Sequence, residues 1–507
     1  MSLVLEIFIT VSLLELVLVW LWSNRLPKLV LLTLAGLVGC SAAALLLAAP
    51  HLWSGLLTFV SAYRVLNLSR LAKKRVETDY LRKVGRRTSA LLFLLQLLLL
   101  TTVYGLHWLQ LSNSDWWIFI GLSELVLAGI IASSTERHLH TTLPTELSEH
   151  YAERDLPSLT VAIPARNETD DLEACLQTLV RSTYTKLEII VLDDCSQPRR
   201  TPEILRNFAH DGVRFINGKV PPESWLAKNY AYQQLAEAAS GEIIMFCGVD
   251  ARFEPNSLHT LVETLVSRKK TMLSVLPNNH APSGLKLEAM MVQPGRYAWE
   301  LALPRHWVDR PPVLSTCWLI DREALEDAGG FKAVSRTIVP ERYFARYTAT
   351  HHDGYSFLQS AQLLGVSSAK SFAEQRETAL RTRYPQLHRR IELTALLTAA
   401  ELYILLVPYI GLVAALVHRQ WLLSVLFAGS VWLLTFFYAA IVRLTYQDFL
   451  NRSLVLLPFA AVYDLALLHY SLWLYEFREV LWKGRNVCIP VMRVIPSLPA
   501  LQPRDQE

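Results

Sequence analysis

Four stretches decide the fold: LTVAIPARNE at residues 159–168, LEIIVLDDCS at 187–196, SWLAKNYA at 224–231 and GEIIMFCGVDARF at 241–253. Three of them are aliphatic runs that end on charged or amide side chains. A nearly unbroken apolar run is what a strand covered on both faces requires. Leu159–Pro164, Leu187–Leu192, Val213–Ile216 and Glu242–Cys247 therefore read as strands. Between them, Asp170 and Asp171 open a helix that places Leu172, Cys175, Leu176 and Leu179 on one face. Thr201–His210 and Trp225–Ser240 read as two further helices. Strands alternating with helices predict a Rossmann-like, mostly parallel α/β sheet. Beyond Asp250 the pattern reads as irregular as far as about Tyr384.

On either side of this block the composition changes. The chain has 507 residues, of which 52% are hydrophobic, too many for an ordinary soluble protein. The apolar residues cluster at 2–22, 29–49, 88–111 and 115–134, then at 393–417, 421–442 and 453–475. Most of these segments can cross roughly 30 Å of hydrocarbon. His51–Leu68 is shorter and carries Arg64, so it reads as spanning or interfacial. The first segment is expected to be a retained anchor rather than a cleaved leader. The expected organisation is a transmembrane module over 1–134, an α/β domain over 156–390, transmembrane helices over 391–480 and a tail over 481–507. Pro408 and Gly411 are candidate breaks in their helix, and Glu15, Glu124, Glu401 and Asp464 lie inside apolar segments.

Net charge is +4, yet residues 70–87 hold eight bases and two acids. The positive-inside rule makes that loop cytoplasmic, and two crossings later the α/β domain is expected on the same side. The six cysteines are scattered without a CxxC pair, as buried thiols rather than zinc ligands or disulfides.

A sheet of this kind holds ligands at its carboxyl edge. Pro164, Asn167 and Glu168 follow the first strand, and Asp193 and Asp194 end the second. Adjacent carboxylates repel, which a hydrogen-bonding or cation-binding role explains, although capping the next turn explains it too. Lys228 sits at a helix start, where an ammonium and free N–H groups meet a diphosphate. Asp250 follows the fourth strand, where a carboxylate can hold a divalent cation.

In this order, IPARNE, LDDCS, WLAK and GVDARF resemble family 2 glycosyltransferases of the GT-A fold. The resemblance is to the membrane-bound branch with hopanoid-associated, carotenoid and ceramide glycosyltransferases. STCWLIDREALEDAGGF (Ser315–Phe331) resembles its acceptor-framing segment, and WKGR (Trp482–Arg485) its C-terminal signature. The resemblance implies a nucleotide-sugar donor, a membrane lipid acceptor, transfer of a single sugar with inversion, and no nucleic-acid partner. It assigns Asp194 to the base or ribose, Lys228 to the diphosphate and Asp250 to Mg²⁺ or Mn²⁺. Departures accompany it. Gly248 replaces the first acid of the DxD element, and Ala227 replaces the usual glycine before the lysine. The acidic pair that supplies the general base is Glu341-Arg342, which leaves Glu341 as the candidate base, with His306, Asp309 and Asp353 as substitutes. The segment 380–384, LRTRY, keeps only Arg-aromatic of the QxxRW element of processive enzymes. These departures also fit a degenerate member of the family acting as a binding or scaffold protein.

Overall fold

The computed structural model describes residues 2–22, 26–73, 79–108, 113–144, 151–168, 170–196, 200–222, 224–279, 289–302, 311–351, 354–360, 363–446, 450–483 and 485–487. His306, Asp309, Asp353, Cys488 and the tail from 488 lie outside the described residues. Two compact units emerge. One comprises Met1–Leu125, Arg383–Ala428 and Leu468–Arg478; the other comprises Val126–Thr382, Gly429–Leu467 and Glu479–Glu507.

The second unit contains the sheet. Its strands are β1 (Leu159–Ala165), β2 (Leu187–Asp193), β3 (Val213–Asn217), β4 (Ile243–Cys247), β5 (Ala251–Phe253), β6 (Met272–Leu276), β7 (Asn278–Asn279), β8 (Cys317–Asp321), β9 (Tyr355–Gln359) and β10 (Val366–Ser368). Seven of them form one sheet in the order β3-β2-β1-β4-β8-β6-β9. β3, β2, β1 and β4 run parallel, β8 is antiparallel to both β4 and β6, and β9 is parallel to β6. The sheet is thus GT-A-like: mixed, and mostly parallel. The chain builds outward from β1 to β3, then returns to place β4 on the other side of β1. That reversal opens a crevice beyond the carboxyl ends of β1 and β4.

Both faces of the sheet are covered, as the aliphatic runs require. One face buries Val161, Ile163, Val191 and Met245 under helices Asp170–Val180 and Ser257–Ser267. The other buries Ala162, Ile190, Phe246 and Trp318 against helix Ala227–Ala238 and helix Glu341–Thr350. A second, three-stranded sheet in the order β5-β10-β7 follows the point where the sequence reads as irregular. The region after Asp250 is therefore regular. Its strands are short and interleave antiparallel with the parallel set, so no simple alternation marks them.

Seven helices among the described residues are long and apolar enough to cross a membrane. They fit the segments read from the sequence. The interrupted segment at 51–68 is a 22-residue helix, Leu52–Lys73. Its Arg64 is fully buried and ion-paired with Glu15, with Gln96 as a further acceptor. Charges at membrane depth are costly unless paired in this way. Pro408 and Gly411 do not break their helix, which runs unbroken over Ile391–Val417. A Cβ on Gly411 would lie 2.7 Å from the Phe427 ring, so this glycine permits close packing instead of a break.

Candidate functional site

Helix Ala227–Ala238 brings Lys228 to the crevice, and a buried amide fixes its position. Asn229 donates from Nδ2 to the carbonyls of Val334 at 2.7 Å and Thr337 at 2.8 Å. Leu226 N–H donates to Ser335 O at 2.8 Å. These bonds tie the start of the helix to the loop that leads into Glu341. The Lys228 ammonium also lies 5.1 Å from the Tyr232 ring centroid. Burial lowers the Lys228 pKa, while the Glu341 carboxylate pulls it back up.

One pocket gathers Pro164, Glu168, Asp194, Lys228 and Asp250 of the residues expected from the sequence. Asn167, Asp193 and Glu341 are not among its lining. Asn167 adopts φ +49°, and its N–H donates to Ser196 Oγ at 2.8 Å. Asp193 Oδ1 accepts from the N–H of Ser196 at 3.2 Å and from its hydroxyl, which is the turn-capping role. Glu341 is buried at the head of helix Glu341–Thr350, and its Oε2 has no hydrogen-bond partner among the described residues. Arg342 points to Glu300, 3.9 Å away.

Sequence reasoning missed several pocket residues: Arg166, Lys370, Arg381, Trp482 and Lys483. The WKGR signature forms a two-stranded hairpin, β11 (Leu481–Trp482) with β12 (Arg485–Asn486). Arg485 Nη1 donates to both carboxylate oxygens of Asp194, at 2.8 and 2.6 Å. Lys483 is ion-paired with Glu168, and Arg166 Nε donates to Lys483 O at 3.1 Å. The Arg381 guanidinium stacks over the Trp482 ring, 4.7 Å from its centroid. The carboxylates expected to meet a ligand are thus held by cations from the far end of the chain. Burial raises the Asp194 carboxyl against the pull of Arg485.

Two lysines here titrate unusually low. Burial takes Lys370 down to about 8, helped by Arg296 and Arg381 and opposed by Asp250 and Glu374. Burial and the Arg166 guanidinium take Lys483 down to about 8. Two opposite trends are expected. Anion binding needs the ammonium forms, so nucleoside diphosphate affinity falls as pH rises above about 8. Folding shows the reverse sign: the unfolded chain holds these protons up to the ordinary lysine value of about 10.4. Stability of the ligand-free protein therefore rises with pH across that window. Calorimetric titration and thermal melts across pH 7–10 check both.

Among the described residues no three His, Cys, Asp or Glu side chains gather into a cluster that would hold a metal ion without help from a ligand. A Cβ at Gly248 would lie 2.4 Å from Asp250 Oδ1, so that carboxylate folds back over the place where a first DxD acid would begin. Its other oxygen accepts from Ser368 Oγ at 2.8 Å.

Residues 160–329 match the family model described as glycosyl transferase family 2. Glycosyltransferase AglE of Haloferax volcanii is 32% identical over 114 residues, 22% of this chain and 36% of AglE. YdaM of Bacillus subtilis, whose name describes it as a probable glycosyltransferase, is 26% identical over 185 residues, 35% of this chain and 44% of YdaM. The match thus spans less than half the length of either relative. Among solved structures, the mannosyltransferase PcManGT of Pyrobaculum calidifontis, in complex with GDP-Man and Mn²⁺, aligns at 17% identity. Its TM-score is 0.43, over 69% of this chain and 97% of that one. The match to glycosyl transferase family 2 thus falls on the central domain, where it coincides with strands β1–β4 and the pocket at their carboxyl ends.

Proposed function

We propose that the protein transfers one glycosyl group from a nucleotide-sugar donor to a hydroxyl of a membrane lipid, with inversion. The observation that carries this reading is the convergence of Glu168, Asp194, Lys228 and Asp250 on one pocket at the sheet's switch point. The seven apolar helices support a lipid acceptor, and the basic loop at 70–87 supports a cytoplasmic domain.

In this reading Lys228 and the N-terminus of helix Ala227–Ala238 receive the donor's diphosphate. Glu341 takes the acceptor's hydroxyl proton. The acceptor oxygen then bonds to the anomeric carbon as the bond from that carbon to the phosphate oxygen breaks. The electron pair leaves on the nucleoside diphosphate, whose new charge the pocket's cations stabilise.

The test is to incubate purified full-length protein in lipid nanodiscs with a panel of nucleotide sugars and candidate lipids. Acceptor-dependent release of nucleoside diphosphate is expected. Donor binding without release would favour the second reading, a degenerate binding protein. That reading draws on Gly248 and on the capture of Asp194 by Arg485.

A further inference from the structure

Around Asp250 the fold assembles more positive charge than the family's motifs account for. β10 pairs antiparallel with β5, placing Ser368 opposite Ala251. Ala369 N–H donates to Asp250 O at 2.8 Å, and Ser368 Oγ holds the Asp250 side chain. The next residue is Lys370. Lys370 lines the same pocket as Lys228, Lys483 and Arg381. Lys228 and Lys370 act electrostatically on the same groups, Asp250, Arg296 and Arg381. Neither ammonium has a hydrogen-bond or ion-pair partner among the described residues.

Several of the pocket's acids are already engaged by other groups. Glu168 and Asp194 are engaged by Lys483 and Arg485. Glu374 accepts from the N–H and hydroxyl of Ser371 at 2.9 and 2.8 Å, and Glu377 is exposed. Position 248 has no side chain to stand as a second acid beside Asp250, and a Cβ there would lie 2.4 Å from the Asp250 carboxylate. Two half-buried ammonium groups, Lys228 and Lys370, lining one pocket beside further cations make a site for a polyanion.

We propose that this pocket binds the diphosphate of a nucleotide donor without a divalent metal ion, the Lys370 ammonium supplying the charge a metal would bring. The proposal rests on the donor reading above and deepens it. Lys370 follows the strand that holds Asp250 and shares the diphosphate with Lys228 and Arg381. Gly248 leaves Asp250 free to turn in toward Ser368 and away from a metal-binding geometry.

The experiment is calorimetric titration of the full chain with UDP, GDP, CDP, ADP and dTDP, in excess EDTA and in excess Mn²⁺. At least one nucleoside diphosphate is expected to bind in EDTA, and Mn²⁺ is expected to leave that affinity unchanged or weaker. Lys370→Met is expected to weaken it roughly 10–100-fold, the scale of a lost charged hydrogen bond, while Lys370→Arg retains most of it. Thermal melts report whether each variant folds, and the wild-type EDTA comparison stands even where one does not. Binding seen only with Mn²⁺ would overturn the metal-free site and leave the donor reading intact. Binding in EDTA that Lys370→Met does not change would overturn the role of Lys370. Absence of binding under both conditions would overturn the donor reading as well.

Discussion

Glu341→Gln is expected to lower turnover by roughly 100- to 10,000-fold, the usual share of general base catalysis, with nucleoside diphosphate affinity unchanged. The substitution keeps the size and hydrogen-bonding shape of the side chain and removes its basicity. The expectation follows from placement. Glu341 is buried, one of its oxygens has no partner among the described residues, and its charge reaches Lys228, which itself lines the pocket. Single-turnover kinetics with a saturating donor separates this effect from binding. An indifferent Glu341→Gln in an active enzyme would place the base on another residue.

The second large effect concerns the core. Trp318 on β8 is fully buried and stacks on Phe246 with centroids 4.6 Å apart, and on Phe344 at 5.9 Å. Tyr232 and Phe331 close the cluster edge-on and tilted. Trp318→Ala removes the centre of this stack and should cost about 3–5 kcal/mol. For a domain of this size that is a melting-temperature loss of roughly 6–20 °C. Trp318→Phe is the informative control. Among the described residues Trp318 Nε1 has no hydrogen-bond partner, so Phe removes an unsatisfied buried donor along with some volume. Its melting temperature should stay much closer to wild type, and an equal loss in both variants would refute the packing account.

Legibility in the sequence followed the range of the interactions. β1, β2, β3 and β4 were readable because each is a short aliphatic run with polar residues at its end, and a local pattern is enough to see that. β8 lies antiparallel between β4 and β6 and has the same composition as its parallel neighbours, so nothing local gives its direction. Helix Leu52–Lys73 read as short because Arg64, Asn67 and Arg70 lower its hydropathy. All three are buried, and they bond to Glu15, to Ser89 and to the carbonyl of Arg389 respectively. The same contrast holds at the site. Glu168, Asp194, Lys228 and Asp250 adjoin strand ends or a helix start, and their spacing announced them. Lys370 arrives through the register of β10 on β5, and Arg485 reaches Asp194 across 291 residues. No local pattern encodes either meeting.

The hairpin at residues 481–486 also constrains how the chain threads a bilayer. Arg381 lies before three apolar helices of 27, 25 and 28 residues, and Trp482 lies after them. The Arg381 guanidinium nevertheless lies over the Trp482 ring, 4.7 Å from its centroid, and both residues line one pocket. A path that leaves one leaflet and returns to it has an even parity of passages, and three is odd. If the chain meets a bilayer with Arg381 and Trp482 on the same side, an even number of Ile391–Val417, Trp421–Thr445 and Leu450–Phe477 crosses it. Hydropathy marks all three as candidate spans; the pairing of two side chains adds a condition that length and composition do not carry.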